Sequence, residues 1–147
     1  MKIYCVFSIL LSILISPASL NASQEAQNLG ACLTDSMNGK ERKNLAKWIY
    51  LGMSTHSVIK PFSNVSQKDI DNSNKYVGSL ITRLITEDCP KAAKLAHEKG
   101  GSAAFEYAFR VVGEVAMKEL MTEPAVSQSL GAFEKHLDHK KFNKVFQ

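Results

Sequence analysis

The chain has 147 residues, of which 45% are hydrophobic and 22% charged, and a formal charge of +4. That length suits one domain built on a single core and argues against two. The mild basic excess excludes the dense cationic stripe with which a nucleic-acid binder holds phosphates.

The N-terminus carries Lys2 and then an apolar run from Ile3 to Ile15 interrupted only by Ser8 and Ser12. A bilayer span needs roughly 20 apolar residues. This run stops short of that at Ser16-Pro17, so it reads as a cleavable secretory signal peptide and not as a membrane anchor. Leu20-Asn21-Ala22 puts the cut at a suitable distance past the apolar run and favours cleavage after Ala22, which makes residues 1–22 the signal and 23–147 the mature domain. Ser16-Pro17-Ala18 fits the small-residue pattern better but leaves almost no polar spacer. Leu29-Gly30-Ala31-Cys32 looks like the box that precedes a lipidated cysteine, yet the polar stretch from Asn21 to Asn28 separates it from the apolar run. Cys32 is therefore read as structural.

Removal of the signal takes Cys5 and Lys2 with it, leaving a formal +3 and two cysteines, Cys32 and Cys89. An even pair in an oxidising compartment implies one disulfide. No C-x-x-C occurs that would suggest redox chemistry. Asn64-Val65-Ser66 matches a glycosylation acceptor, which matters only in a eukaryote.

Strand signals are nearly absent and apolar residues recur at helical spacing, so the fold class is all-α: a single-domain helical bundle of five to seven helices. The first helix is expected from Gln24 to Met37, ended by Asn38-Gly39. The second runs from Lys40 to Ser57, with Leu45, Trp48, Ile49, Gly52, Met53 and His56 on one apolar face. Lys60-Pro61 forbids its continuation. Ser66 then caps a helix from Gln67 to Asp88 with Asp69 in its first turn and Ile70, Val77, Leu80, Ile81, Leu84 and Ile85 as its core face. Cys89-Pro90 opens a short helix, Lys91 to Lys99, which Gly100-Gly101 ends.

Ser102 starts the most hydrophobic helix, which reaches Met121 and is expected to be central. Phe105, Phe109, Val112, Ala116 and Leu120 form its main buried line, and Glu106, Arg110, Glu114 and Lys118 its solvated edge. Thr122 caps a further helix with Pro124 in its first turn and Val126, Leu130, Phe133 and Leu137 buried. The tail places Phe142, Val145 and Phe146 among Lys140, Lys141 and Lys144, the pattern of a short terminal helix docked on the bundle.

Candidate chemistry is sparse. His136 and His139 stand at i and i+3 near Glu134 and Asp138, but a zinc site needs three or four ligands, so a solvated helix end is the simpler reading. His56 shares its face with Trp48 and Met53, and these three are the pocket candidates, with His56 as an acid/base group or as a histidine bonded to its own loop. Gly52 beside them suggests a close approach by a helix or a ligand. Trp48 itself is expected in the core. No G-x-S-x-G nucleophile is present, no pair among Glu87, Asp88 and Glu98 declares itself, and Arg83 is placed to pair with Glu87 on the surface.

The run Cys32, Lys43-Asn44-Leu45-Ala46-Lys47-Trp48-Ile49, Met53-x-x-His56, Leu80-x-x-Arg83-Leu84 and Cys89 resembles a family of uncharacterised exported helical proteins of Gram-negative bacteria. The likeness covers most of the mature chain and implies a periplasmic address, with no activity and no functional residues to carry over. The resulting expectation is a periplasmic binding module with another periplasmic protein as partner, no cofactor, no metal, no nucleic acid and no stable membrane anchor after cleavage. An immunity or inhibitor protein against a toxin or envelope hydrolase is the first alternative, and a hydrolase centred on His56 the second.

Overall fold

Helix α1 (Pro17–Asp35) and the long α4 (Pro90–Met121) form the most extensive interface among the described residues, and the residues α4 brings to it are small. The computed structural model describes residues 17–146, with side chains from Gln24 onward. The apolar leader and Cys5 lie outside the described residues, and the Ala22–Ser23 bond falls inside α1. Four further helices follow in chain order: α2 (Gly39–Met53), α3 (Gln67–Arg83), α5 (Pro124–Gly131) and α6 (His139–Phe146). Among the described residues there are six α-helices and no strand, so the fold is an all-α bundle.

Along α4 the fully buried positions are Ala104, Ala108, Val112 and Ala116, spaced by one helical turn, with Ala93 and Ala96 buried earlier. The phenylalanines expected on that line are displaced to its edge: Phe105 is half-buried and Phe109 exposed. The reason is the approach of α1. A Cβ added at Gly30 would lie 3.2 Å from Val111 Cβ and 3.5 Å from Ala108 Cα, so the two backbones come too close for large side chains between them. Ala26, Leu29 and Leu33 of α1, with Met37 just past its end, fill the flanks of this seam.

Gly101 bends α4. It has φ +55° and ψ −142°, a conformation open to glycine and costly for any side chain, so residues 90–100 and 102–121 form two arms. At the entry to the first arm a wide turn, Leu84–Asp88, carries the chain out of α3, with the Cys89 N–H donating to the Leu84 carbonyl at 2.8 Å. This turn brings Cys89 to Cys32, with Cα atoms 6.0 Å apart, and the disulfide joins the end of α1 to the start of α4.

Arg83 stands beside that clamp. Its guanidinium pairs with Asp88 in the wide turn and with Glu41 on α2 at 2.8 Å, in place of the Glu87 partner expected from sequence. Glu41 is already fixed: its other carboxylate oxygen accepts the Asn38 N–H while the Asn38 side chain accepts the Glu41 N–H, a capping box that starts α2. The arginine thus ties the start of α2 to the end of α3. These two helices run antiparallel, and Val77, Leu80 and Leu84 complete the core from the α3 side.

The end of α2 and the C-terminal segment depart from the sequence reading. Helix α2 stops at Met53, because the Ser54 hydroxyl donates to the Leu51 carbonyl at 2.6 Å and Thr55 to the Gly52 carbonyl at 2.8 Å, local bonds that compete with helix continuation. Thr122 does not cap α5; its hydroxyl donates back to the Lys118 carbonyl at 2.9 Å and closes α4. Helix α5 ends at Gly131 and a 3-10 turn, Ala132–His136, follows, which leaves Leu130 and Phe133 exposed. Nor is α6 docked: Phe142, Val145 and Phe146 all face solvent.

The Cys32–Cys89 bond closes a loop of 57 residues. For a loop of that size the chain-entropy model gives about 4 kcal/mol. Replacing both cysteines by alanine is expected to lower the free energy of unfolding in urea by about that amount, and an unchanged midpoint would contradict the clamp.

Candidate functional site

Trp48 is not in the core. It sits on α2 at the seam with α3, 39% exposed, with its indole N–H donating to Asn74 Oδ1 at 2.8 Å. The bond satisfies the polar end of the ring and fixes its plane, so the ring stands as a rigid wall with a depression on either side.

The deeper depression is a groove of about 350 Å³. Helix α2 lines it with Leu45, Trp48 and Ile49, α3 with Val77 and Ile81, and α4 with Phe109, Val112, Gly113 and Ala116. None of these side chains is charged. The groove exists because α4 turns a small-residue edge to the junction: a Cβ added at Gly113 would meet nothing within 4 Å. Its size lies at the lower end of the range for ligand sites, and its lining is apolar, as such sites mostly are.

On the other side of the ring, Trp48, Ile49, Leu51, Gly52, Met53, Ile70 and Asn74 line a shallower hollow of about 320 Å³. Trp48 and Met53, grouped on one face in the sequence, therefore line the same hollow. Gly52 permits no close approach, since a Cβ there would also find open space. His56 lines neither hollow. It lies past the end of α2 and is exposed, with its Nδ1 accepting the Val58 N–H at 3.3 Å and its carbonyl accepting from Lys60 and Ile59 at 2.8 and 2.9 Å. It is a histidine bonded to its own loop.

A third, more polar cleft of about 400 Å³ separates α2 and α3 and is lined by Asn44, Lys47, Leu51, Asp69, Asn72, Ser73 and Tyr76. Its carboxylate is already engaged. The Ser66 hydroxyl and backbone N–H both donate to Asp69, completing a second capping box, and they hold its carboxyl below the usual carboxylate range. A depressed folded-state value favours the ionised form, so the stability it contributes is present above about pH 4 and is lost as pH falls through the folded value. Such a group is a helix cap and a poor proton donor near neutrality.

His136 closes the 3-10 turn and His139 opens α6, both exposed. Among the described residues no group of three or more His, Cys, Asp or Glu is placed to hold a metal ion. Phe109, Gly113 and Asn74 are the site residues that the sequence reading did not single out. A phenylalanine and a glycine one turn apart at the edge of an alanine line were a visible signal, whereas the bond from Trp48 to Asn74 depends on how α2 and α3 pair. Comparison with family models, curated proteins and solved structures finds no match.

The geometry around Trp48 predicts emission that aqueous quenchers reach and that does not change between about pH 5 and 8, the interval in which an ordinary histidine titrates. Asn74→Leu should raise the quenching constant by freeing the ring. A blue-shifted, unquenchable emission, or a pH midpoint abolished by His56→Ala, would contradict this arrangement.

Proposed function

We propose that this chain is an exported binding module of the Gram-negative periplasm, freed of its signal after Ala22, and that the groove beside Trp48 holds an apolar segment of another exported protein. The carrying observation is the groove itself: a 350 Å³ concavity at a three-helix junction, uncharged and walled by a hydrogen-bonded tryptophan. Aromatic anchors in pockets of this kind concentrate binding energy at protein interfaces. The free volume over Gly113 accommodates one or two large apolar side chains of a partner.

Compartment and chemistry agree. A structural disulfide favours an oxidising environment, and the leader pattern of Lys2 and Ile3–Ile15 supplies the route to it. His56 gives little support to a hydrolase, since its Nδ1 is occupied by its own loop.

Photo-crosslinking tests the reading. p-Benzoylphenylalanine replaces a phenylalanine with little change of shape, and Phe109 at the groove and Phe62, on a separate 3-10 turn (Lys60–Phe62) outside the groove lining, are both exposed. In envelope preparations the probe at Phe109 is expected to yield a discrete adduct with another protein, the probe at Phe62 none, and Ile81→Lys should reduce the Phe109 adduct at least about tenfold, as burial of an unpaired charge in an apolar interface requires. Identical products from both positions, or no effect of Ile81→Lys, would overturn it.

A further inference from the structure

We propose that the polar cleft between α2 and α3 is a binding site for a small zwitterion that carries a carboxylate and an ammonium group, of the size of a free amino acid or a dipeptide. Each helix brings one row of polar side chains to it. Asp69, Asn72, Ser73 and Tyr76 stand at i, i+3, i+4 and i+7 on α3, and Asn44 and Lys47 at i and i+3 on α2, so each set shares one face. The cleft, of about 400 Å³, shares no lining residue with the groove beside Trp48, so a failure at one leaves the other standing.

Ser73 points to a ligand. Among the described residues two polar residues are buried, Ser54 at 4% exposure and Ser73 at 5%. The Ser54 hydroxyl is satisfied by the Leu51 carbonyl at 2.6 Å, whereas the Ser73 hydroxyl bonds to no described group. Among the described residues no polar side-chain atom sealed from solvent lacks a partner, so the Ser73 oxygen is reached through the cleft that it lines. Alanine at this position would suit a helix better and would bury no unpaired hydroxyl. The hydroxyl therefore has its use in what enters the cleft.

Opposite charges on the two walls select that ligand. Lys47 is exposed on the α2 wall and forms no ion pair among the described residues. Asp69 stands on the α3 wall, and the bonds it accepts from the Ser66 hydroxyl and N–H both fall on Oδ2, which leaves Oδ1 without a described partner. Those bonds, helped by the charges of Lys68 and Lys47, keep the carboxylate ionised near neutrality. Asn72 and Tyr76 make no side-chain hydrogen bond among the described residues, and Asn44 uses only its amide N–H, on the Lys40 carbonyl at 3.1 Å. A carboxylate on Lys47 and an ammonium on Asp69 each form a charge-assisted bond, and the uncharged groups of the lining serve the remaining donors and acceptors. A purely anionic or purely cationic ligand meets one like charge, and an uncharged one forms neither strong bond.

Nuclear magnetic resonance titration of the chain from Ser23 to Gln147, which contains every described buried residue, tests the site with L-alanyl-L-alanine as probe. The dipeptide should shift the side-chain amide signals of Asn44 and Asn72 saturably, with a dissociation constant on the order of 1 mM. Acetylation of its amine or amidation of its carboxylate should each weaken binding about tenfold, as loss of one charge-assisted bond requires. Lys47→Gln should weaken the parent dipeptide by the same factor and remove the discrimination against the amidated form. Ser73→Ala should weaken it about fivefold and leave the urea midpoint equal or higher, since the hydroxyl holds nothing in the fold. No saturable shift, equal binding of the blocked dipeptides, indifference to either substitution, or a Ser73→Ala variant less stable than the parent would overturn the proposal. So would N-acetylglucosamine binding more tightly than the dipeptide, because the cleft would then be a site for an uncharged sugar.

Discussion

Everything in this bundle is arranged around the close approach of α1 to α4 at Gly30. Because a single added carbon there would press on the Val111 side chain and already touch the Ala108 backbone, α4 presents mostly alanine along that face, and its larger side chains are turned outward. Close packing of small residues gains dispersion over many atom pairs but tolerates little change of volume. The disulfide secures the seam at the end of α1, and the bend at Gly101 lets two arms of α4 lie against it. With one face of α4 committed to α1, the α2–α3 pair meets the other.

The groove is a consequence of that division of α4. Phe109, displaced to the edge, becomes a rim, while Gly113 and Ala116 leave volume that neither α2 nor α3 fills. An unfilled apolar junction forfeits contacts that a packed core would make. Its walls are nevertheless firm: Asn74 holds the Trp48 ring, and Arg83 joins α3 to α2 through Glu41 and to the wide turn through Asp88. These partly exposed ion pairs contribute on the order of 1 kcal/mol or less each, so their main effect is to set the register of the two helices. A rigid, preformed concavity is what a binding protein needs in order to avoid the cost of ordering its site.

The class of fold, the cysteine pair, the Ser66 cap, the Val77, Leu80 and Leu84 core face and the break at Gly100-Gly101 were all legible in the sequence, because each rests on local chemistry or simple periodicity. What escaped were features decided by neighbours far along the chain. Two glycines illustrate it: Gly52 drew attention by its place beside Trp48 yet faces open space, whereas Gly30 looked like part of a lipidation box and is the point of closest approach. Periodicity placed Phe109 and Trp48 inside because they are large and apolar, but a core lined by alanine has no room for them. The tail misled for the opposite reason. Its amphipathic pattern was correct, and the assumption that an apolar face must find a partner within the same molecule was not.

Leucine substituted at two glycines of one fold, Gly30 and Gly113, tests the seam most directly. Both gain roughly 0.8 kcal/mol from helix propensity alone. At Gly30 four added carbons enter a space where one already lies 3.2 Å from Val111, so overpacking near the upper end of its usual range, about 3 kcal/mol, should leave that variant about 2 kcal/mol less stable. At Gly113 the same side chain enters open groove, and urea unfolding should show equal or slightly greater stability. Equal effects at the two positions, or a stable Gly30→Leu beside a damaged Gly113→Leu, would contradict an architecture built on the α1–α4 seam.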